Sequence, residues 1–157
     1  MPAAEPFTAP LMHAIDLNPF PTFEVLKMKT ESLNVDTIPT LGLALSVGVK
    51  SGRLVFCSGM APLNAEGELV GVGDIAKQTE QTLDNLEKVL KAGGATFANV
   101  VKTTIFITDA RHFQKVNDIY ARRFAARPPA RSTVQVGMMH PDLMVEIEAI
   151  AVVEDAA

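Results

Sequence analysis

Apolar and polar positions alternate along Leu43, Leu45, Val47 and Val49, which share one face of an extended chain. A period of two predicts a half-buried strand. Ser51-Gly52 supplies a turn, and Leu54-Val55-Phe56 begins the return arm of a hairpin. Ala65-Glu66-Gly67 marks a second turn before a short candidate strand, Glu68-Leu69-Val70. The period then changes. Asp74 suits a helix N-cap, Leu83, Leu86 and Leu90 fall on one helical stripe, and Gly93-Gly94 stops the helix. The stretch Val100–Ile107 is rich in β-branched residues and reads as a strand. Asp109 caps a second helix with an apolar face of Phe113, Val116, Tyr120 and Phe124, ended by Pro128-Pro129. Two more strands, residues 129–136 and 145–152, read as a closing hairpin across Met139-His140-Pro141-Asp142.

The order β-β-(β)-α-β-α-β-β predicts an α+β layer structure: a mixed β-sheet with two helices on one face. On the last strand Val145, Ile147, Ala149, Ala151 and Val153 take one face, while Ile150 and Val152 take the other. A strand that is apolar on both faces needs a layer on each side. Two helices cover only one, so the sheet is expected to pack against other subunits. Six of the ten prolines (Pro2, Pro6, Pro10, Pro19, Pro21 and Pro39) lie in the first 39 positions. This divides the chain into a proline-rich arm, residues 1–39, and one domain, residues 40–157. The arm is expected to hold one short element at residues 23–28 and to dock its apolar side chains on the body or a neighbour.

Composition narrows the function classes. Net charge is −4 and no Lys/Arg run exceeds two, which argues against a dedicated nucleic-acid binder with a basic face and leaves only a local basic patch open. Cys57 is the only cysteine, so no intrachain disulfide forms, which fits a reducing compartment. The sequence shows no secretory leader pattern and no apolar run of membrane-spanning length, so a cytoplasmic protein is expected. His13, His112 and His140 match no metal-ligand spacing, and neither a nucleophile elbow nor a phosphate loop is present. Cys57, inside an apolar strand, is expected to be an inert core residue.

The chemistry concentrates in the last two strands. Arg131 shares a face with Thr133 and Gln135, and Glu146 with Glu148. An arginine fork grips a carboxylate with two parallel hydrogen bonds, and a glutamate holds or moves a proton. Together they suggest a site for a small acidic metabolite. Treating the two strands as a hairpin puts Arg131 and Glu146 on the order of 15 Å apart. One small molecule cannot span that, so each site is expected to take Arg131 from one subunit and Glu146 from its neighbour.

The runs Pro129-Ala130-Arg131-Ser132-Thr133-Val134-Gln135-Val136 and Val145-Glu146-Ile147-Glu148-Ala149-Ile150-Ala151-Val152 resemble the RidA/YjgF family of small imine deaminases, also labelled endoribonuclease L-PSP. Val55-Phe56-Cys57-Ser58-Gly59, the helical Gln78-Thr79-Glu80-Gln81-Thr82-Leu83-Asp84-Asn85-Leu86, and Val100-Val101-Lys102-Thr103-Thr104-Ile105-Phe106-Ile107-Thr108-Asp109 continue the likeness, with Phe113, Val116-Asn117 and Tyr120. The resemblance implies a chorismate-mutase-like homotrimer with clefts between subunits. It implies that Arg131 binds the substrate carboxylate, that Glu146 positions water, and that the Gly59 amide meets the substrate, with Thr133 assisting. Thr133 stands where cysteine is common, which keeps a hydrogen-bonding group but excludes thiol chemistry. Leu45 and Met60 stand where tyrosine and glutamine are common, which makes the pocket more apolar than usual.

The implied reaction is hydrolytic deamination of 2-imino or enamino acids to 2-oxo acids and ammonia, with no metal or cofactor. Two other readings stand beside it. One is a pathway-specific enamine deaminase of aminoacrylate or aminomuconate type, and the other a non-catalytic metabolite-binding or chaperone-like trimer. A ribonuclease is disfavoured by the acidic charge and the lack of a histidine or lysine pair for RNA cleavage.

Overall fold

The computed structural model describes residues 29–154. Local sequence explains most of its elements. After a short edge strand β1 (Thr30–Leu33), strands β2 (Gly48–Ser51) and β3 (Leu54–Met60) form the expected hairpin about Ser51-Gly52, with Gly52 in the left-handed region at φ 57°. Helix α1 (Ile75–Ala92) starts where Asp74 accepts hydrogen bonds from the Ala76 and Lys77 amides, at 3.0 and 3.2 Å. It ends at Gly93, whose amide closes on Val89 O and Lys91 O. Strand β4 (Val100–Ile107) runs over the expected span. Asp109 caps a short 3-10 turn (Ala110–His112) that leads into helix α2 (Phe113–Arg123). Strands β5 (Ala130–Gln135) and β6 (Val145–Val152) complete the fold.

The strands make one mixed sheet in the order β1-β2-β3-β6-β4-β5, and only β4 and β5 run parallel. Both helices lie on one face, as the α+β pattern predicts. Leu83, Leu86, Val89 and Leu90 on α1 are fully buried against Val55, Ile105, Val145, Ile147 and Ala151 of the sheet. Each such side chain contributes about 1.5–3 kcal/mol relative to exposure. Arg123 on α2 pairs with Asp84 at 2.5 Å and Glu80 at 3.3 Å on α1, which links the two helices.

Among the described residues, no helix covers the opposite sheet face. Phe56, Val101 and Val134 are exposed there, beside the half-buried Phe106 and Ile150. This is the face that the two-sided apolar pattern of β6 assigns to a neighbouring subunit.

Four expectations change. The closing hairpin does not exist: β4 inserts between β5 and β6 and pairs with both. β4 and β6 are buried on the helix face, and apolar there except at Thr103, so they take the centre, while the polar β5 takes the edge. Residues 41–45 are not strand. The Leu43 amide bonds Thr40 O and the Leu45 amide bonds Leu43 O, local turns that replace a ladder. The stretch at Glu68-Leu69-Val70 contributes only an isolated bridge from Leu69 to Leu63. The sheet also begins before position 40, because β1 pairs with β2 and buries Leu33. The element expected at residues 23–28 and the docking of the arm lie outside the described residues, as does His13.

Buried polar side chains anchor the loops around the sheet. Gln78 Nε2 donates to Gly71 O and Asp142 O, at 3.2 and 2.8 Å, while its Oε1 accepts from the Met144 amide at 2.8 Å. Asn85 Nδ2 donates to Ala61 O and Leu63 O, at 3.0 and 2.8 Å.

Candidate functional site

Glu146 lies between Val145 and Ile147, both buried on the helix face, so the alternation of β6 turns it to the opposite face. It lies one residue before Ile147, whose partner Met60 ends the irregularity where the β3–β6 register shifts between Cys57 and Met60. Gly59 occupies that irregularity, and the Glu146 carboxylate lies directly over its backbone. A Cβ at position 59 would stand 1.9 Å from Glu146 Oε1. Only glycine allows this approach. Burial first, and then the neighbouring charge of Glu148, raise the Glu146 pKa above the ordinary carboxylate value. A half-buried carboxyl with a raised pKa suits proton transfer better than a fully solvated one. Glu146 and Gly59 line a cleft of about 450 Å³ with Leu45, Met60 and Leu63.

Arg131 lies elsewhere. Its register partner on β4 is Thr103, which is fully buried on the helix face, so Arg131 belongs to that face at the sheet edge. Its Nη1 donates to Asn117 Oδ1 at 2.9 Å. Its guanidinium carbon stands 5.0 Å from the Tyr120 ring centroid and 5.7 Å from that of Phe113. The Tyr120 hydroxyl is held by the Thr103 hydroxyl at 2.7 Å. α2 therefore cradles the arginine from one side by a hydrogen bond and from the other by ring faces. Among the described residues no carboxylate comes within ion-pair distance of Arg131. A fixed, unpaired guanidinium is a ready partner for an external carboxylate. It opens onto a cleft of about 600 Å³ lined by Asn117, Tyr120, Phe124, Pro128 and Pro129. Thr133 follows on the same face as Arg131, and its Oγ1 is buried without a hydrogen-bond partner. Gln135 Oε1 accepts from the Ala110 amide at 2.9 Å, so that residue serves the turn before α2.

The structure thus brings Gly59 and Glu146 together, and separately Arg131 and Thr133, but it does not join the two pairs within one chain. Glu146 is level with Val134 on β5, three residues from Arg131 and two strands away. Strand spacing puts their Cα atoms on the order of 14 Å apart. The side chains also leave opposite faces of the sheet. The separation is close to that expected of a β5–β6 hairpin, although β5 and β6 do not pair.

Phe113 and Tyr120 lie on the expected apolar face of α2, and that face also presents Asn117 to Arg131. Phe113, Asn117 and Tyr120 stand at i, i+4 and i+7, and that spacing alone puts them on one helical stripe beside Arg131. Cys57 is buried, and burial pushes its thiol pKa up to about 12, as an inert core residue requires. Among the described residues no three His, Cys, Asp or Glu side chains cluster to hold a metal ion, and no helix is long and apolar enough to cross a membrane.

Comparison with known proteins adds to this geometry. The protein-family model described as Endoribonuclease L-PSP matches residues 40–153. The chain is 38% identical to Reactive Intermediate Deaminase A, chloroplastic, of Arabidopsis thaliana, over 83% of this chain and 73% of that one. It is 36% identical to 3-aminoacrylate deaminase RutC of Acinetobacter baylyi, over 65% of this chain and 81% of that one. Among solved structures, E. coli TdcF with bound serine is 32% identical, with a TM-score of 0.72 over 79% of this chain and 99% of that one.

Proposed function

The chain belongs to the endoribonuclease L-PSP (RidA/YjgF) family, and from that premise we propose that it is a hydrolytic deaminase of 2-imino and enamino acids. Its products are 2-oxo acids and ammonia. The observation that carries this reading is the division of the chemistry: an unpaired arginine on one sheet face, and a proton-active carboxylate over a glycine backbone on the other. Each is half of a site. A closed homotrimer, in which the uncovered sheet face meets its neighbours, brings the Arg131 edge of one subunit to the Glu146 cleft of the next. The deaminase names of two relatives and the serine in TdcF, itself a small amino-acid carboxylate, support the reading.

The steps follow from these groups. Arg131, held by Asn117 and Tyr120, binds the substrate carboxylate through two parallel hydrogen bonds. The buried Thr133 hydroxyl and the Gly59 amide orient the imine end. Water held by Glu146 attacks the imine carbon. A C–O bond forms, the C=N π pair moves to nitrogen, and the water proton passes through Glu146 to that nitrogen. The C–N bond of the resulting carbinolamine then breaks. The hydroxyl proton passes through Glu146 to the departing nitrogen, the oxygen pair closes the C=O bond, and ammonia leaves. An enamino acid enters after protonation at carbon gives the same imine. No step calls for a metal or an organic cofactor, because the imine carbon is already electrophilic.

The test is ammonia release from freshly generated 2-imino acids, from 2-iminopropanoate through 2-iminobutanoate to 2-imino-4-methylpentanoate. Wild type is expected to accelerate release, Arg131→Ala to abolish the acceleration, and Glu146→Gln to keep carboxylate binding while losing turnover. A wild type without effect on any imine, or a Glu146→Gln variant with unchanged turnover, would overturn the reading in favour of a binding protein.

A further inference from the structure

The cleft beside Glu146 and Gly59 is far larger than a three-carbon imino acid needs. Its volume of about 450 Å³ lies within the range of about 300–1,000 Å³ typical of ligand pockets. Its walls are aliphatic: Leu41, Leu43, Leu45, Met60, Leu63 and Leu69.

Two of the polar side chains on its rim, Ser58 and Asn85, are committed elsewhere, and His140 is bonded through Nδ1. Ser58 Oγ donates to Ser46 O at 2.7 Å. Asn85 is spent on the Ala61 and Leu63 carbonyls, and its Oδ1 accepts from Gln81 and Lys88. His140 Nδ1 accepts from the Asp142 amide. What remains facing the space is mainly hydrocarbon, with the Thr40 and His140 side chains on the rim and the Glu146 carboxylate at one end.

The loop that supplies Leu41, Leu43 and Leu45 is also unusual. Leu41 is the one non-glycine residue with positive φ among those described, at 54°. A left-handed leucine costs of order 1 kcal/mol and persists where the surroundings enforce it. Its Cδ2 rests against Gly67, where an added Cβ would stand 2.7 Å away. The loop is thereby held in place as an apolar lip. Leu43 and Leu45 remain 62% and 46% exposed on it.

We propose that this cleft receives the substrate's side chain, and that the preferred substrates are 2-imino or enamino acids with branched or extended aliphatic side chains of leucine size. Leu43 and Leu45 are its specificity-determining residues. The inference rests on the deaminase reading above, because Glu146 marks the reacting end of the cleft.

The experiment compares kcat/KM for 2-imino-4-methylpentanoate and 2-iminopropanoate, each generated in situ by an amino-acid oxidase and followed as acceleration over spontaneous hydrolysis. The leucine-derived imine is expected to be favoured by about tenfold or more, since one methylene in an apolar pocket already discriminates by about 10- to 200-fold. Leu43→Asn and Leu45→Asn alter exposed positions that the core does not use, and each is expected to move the ratio toward one. A wild type that deaminates both imines equally, or prefers the smaller, overturns this inference and leaves the deaminase reading standing. A preference that survives both substitutions unchanged overturns the assignment of the cleft. Failure on both imines overturns the deaminase reading, and this inference with it.

Discussion

Coexpressing Arg131→Ala chains with Glu146→Gln chains is expected to restore activity that neither variant has alone. Arg131 and Glu146 leave opposite faces of one sheet, with their strands two positions apart in the sheet order. No rearrangement short of breaking β4 from a neighbour brings them together within a chain. If each site takes its arginine from one subunit and its glutamate from the next, a site is intact when the first subunit carries Glu146→Gln and the second Arg131→Ala. With equal expression and random assembly, half of the arginine positions and half of the glutamate positions are intact. About a quarter of the sites are then rebuilt in full across all trimers, and about a third in trimers that carry both variants. Each parent alone is expected to fall about 10²- to 10⁴-fold, the usual contribution of a positioned acid–base group or anchor. The signal is therefore large against its background. Differently tagged chains are copurified through both tags, and ammonia release is followed from a 2-imino acid made in situ. Coexpressed protein no more active than the two parents would refute the shared-site argument. Parents purified separately and mixed without subunit exchange serve as the control and should stay inactive.

Gly59→Ala would drive its Cβ into the Glu146 carboxylate, and a displacement of about 1 Å is expected to lower kcat on the order of 10²-fold; a variant with full turnover would show that the Glu146 position is not critical. Tyr120→Phe leaves the buried Thr103 hydroxyl without its partner, so urea titration should show a loss of about 1–3 kcal/mol, and no loss would mean that water replaces the phenol. Burial and Glu148 raise the Glu146 pKa, so folding disfavours its charged form. That penalty acts above the folded pKa and disappears as pH falls below the unfolded value of about 4.3. Glu146→Gln should therefore be more stable than wild type at neutral pH and no more stable at pH about 3, by urea midpoints at each pH. Cys57, with its thiol pushed up to about 12, should resist iodoacetamide in the folded protein at pH 8 and react on unfolding; rapid native labelling would contradict its burial.

The local elements were legible in the sequence because short-range physics decides them. Asp74, the leucine stripe and Gly93 delimit α1 through caps and a 3.6-residue period. The β-branched run of β4 marks a strand without reference to anything else. Alternation also showed which residues share a face, so the pairing of Arg131 with Thr133 and of Glu146 with Glu148 followed from period two alone. Strand β1, four residues reading Thr-Glu-Ser-Leu, carries no such pattern, and it forms because β2 offers it an edge.

What alternation does not contain is the identity of a strand's neighbours. Sequence order suggested that β5 and β6 pair, but pairing depends on which strands gain most from the middle of the sheet. β4 and β6 bury an apolar residue at nearly every helix-facing position, and β5 does not. That contest is settled over the whole layer, and it puts Arg131 and Glu146 on opposite faces. The Asn117 and Tyr120 cradle and the close approach of Gly59 to Glu146 have the same character. Each is a contact between elements distant in sequence, and only the packed sheet and helices bring its partners within reach.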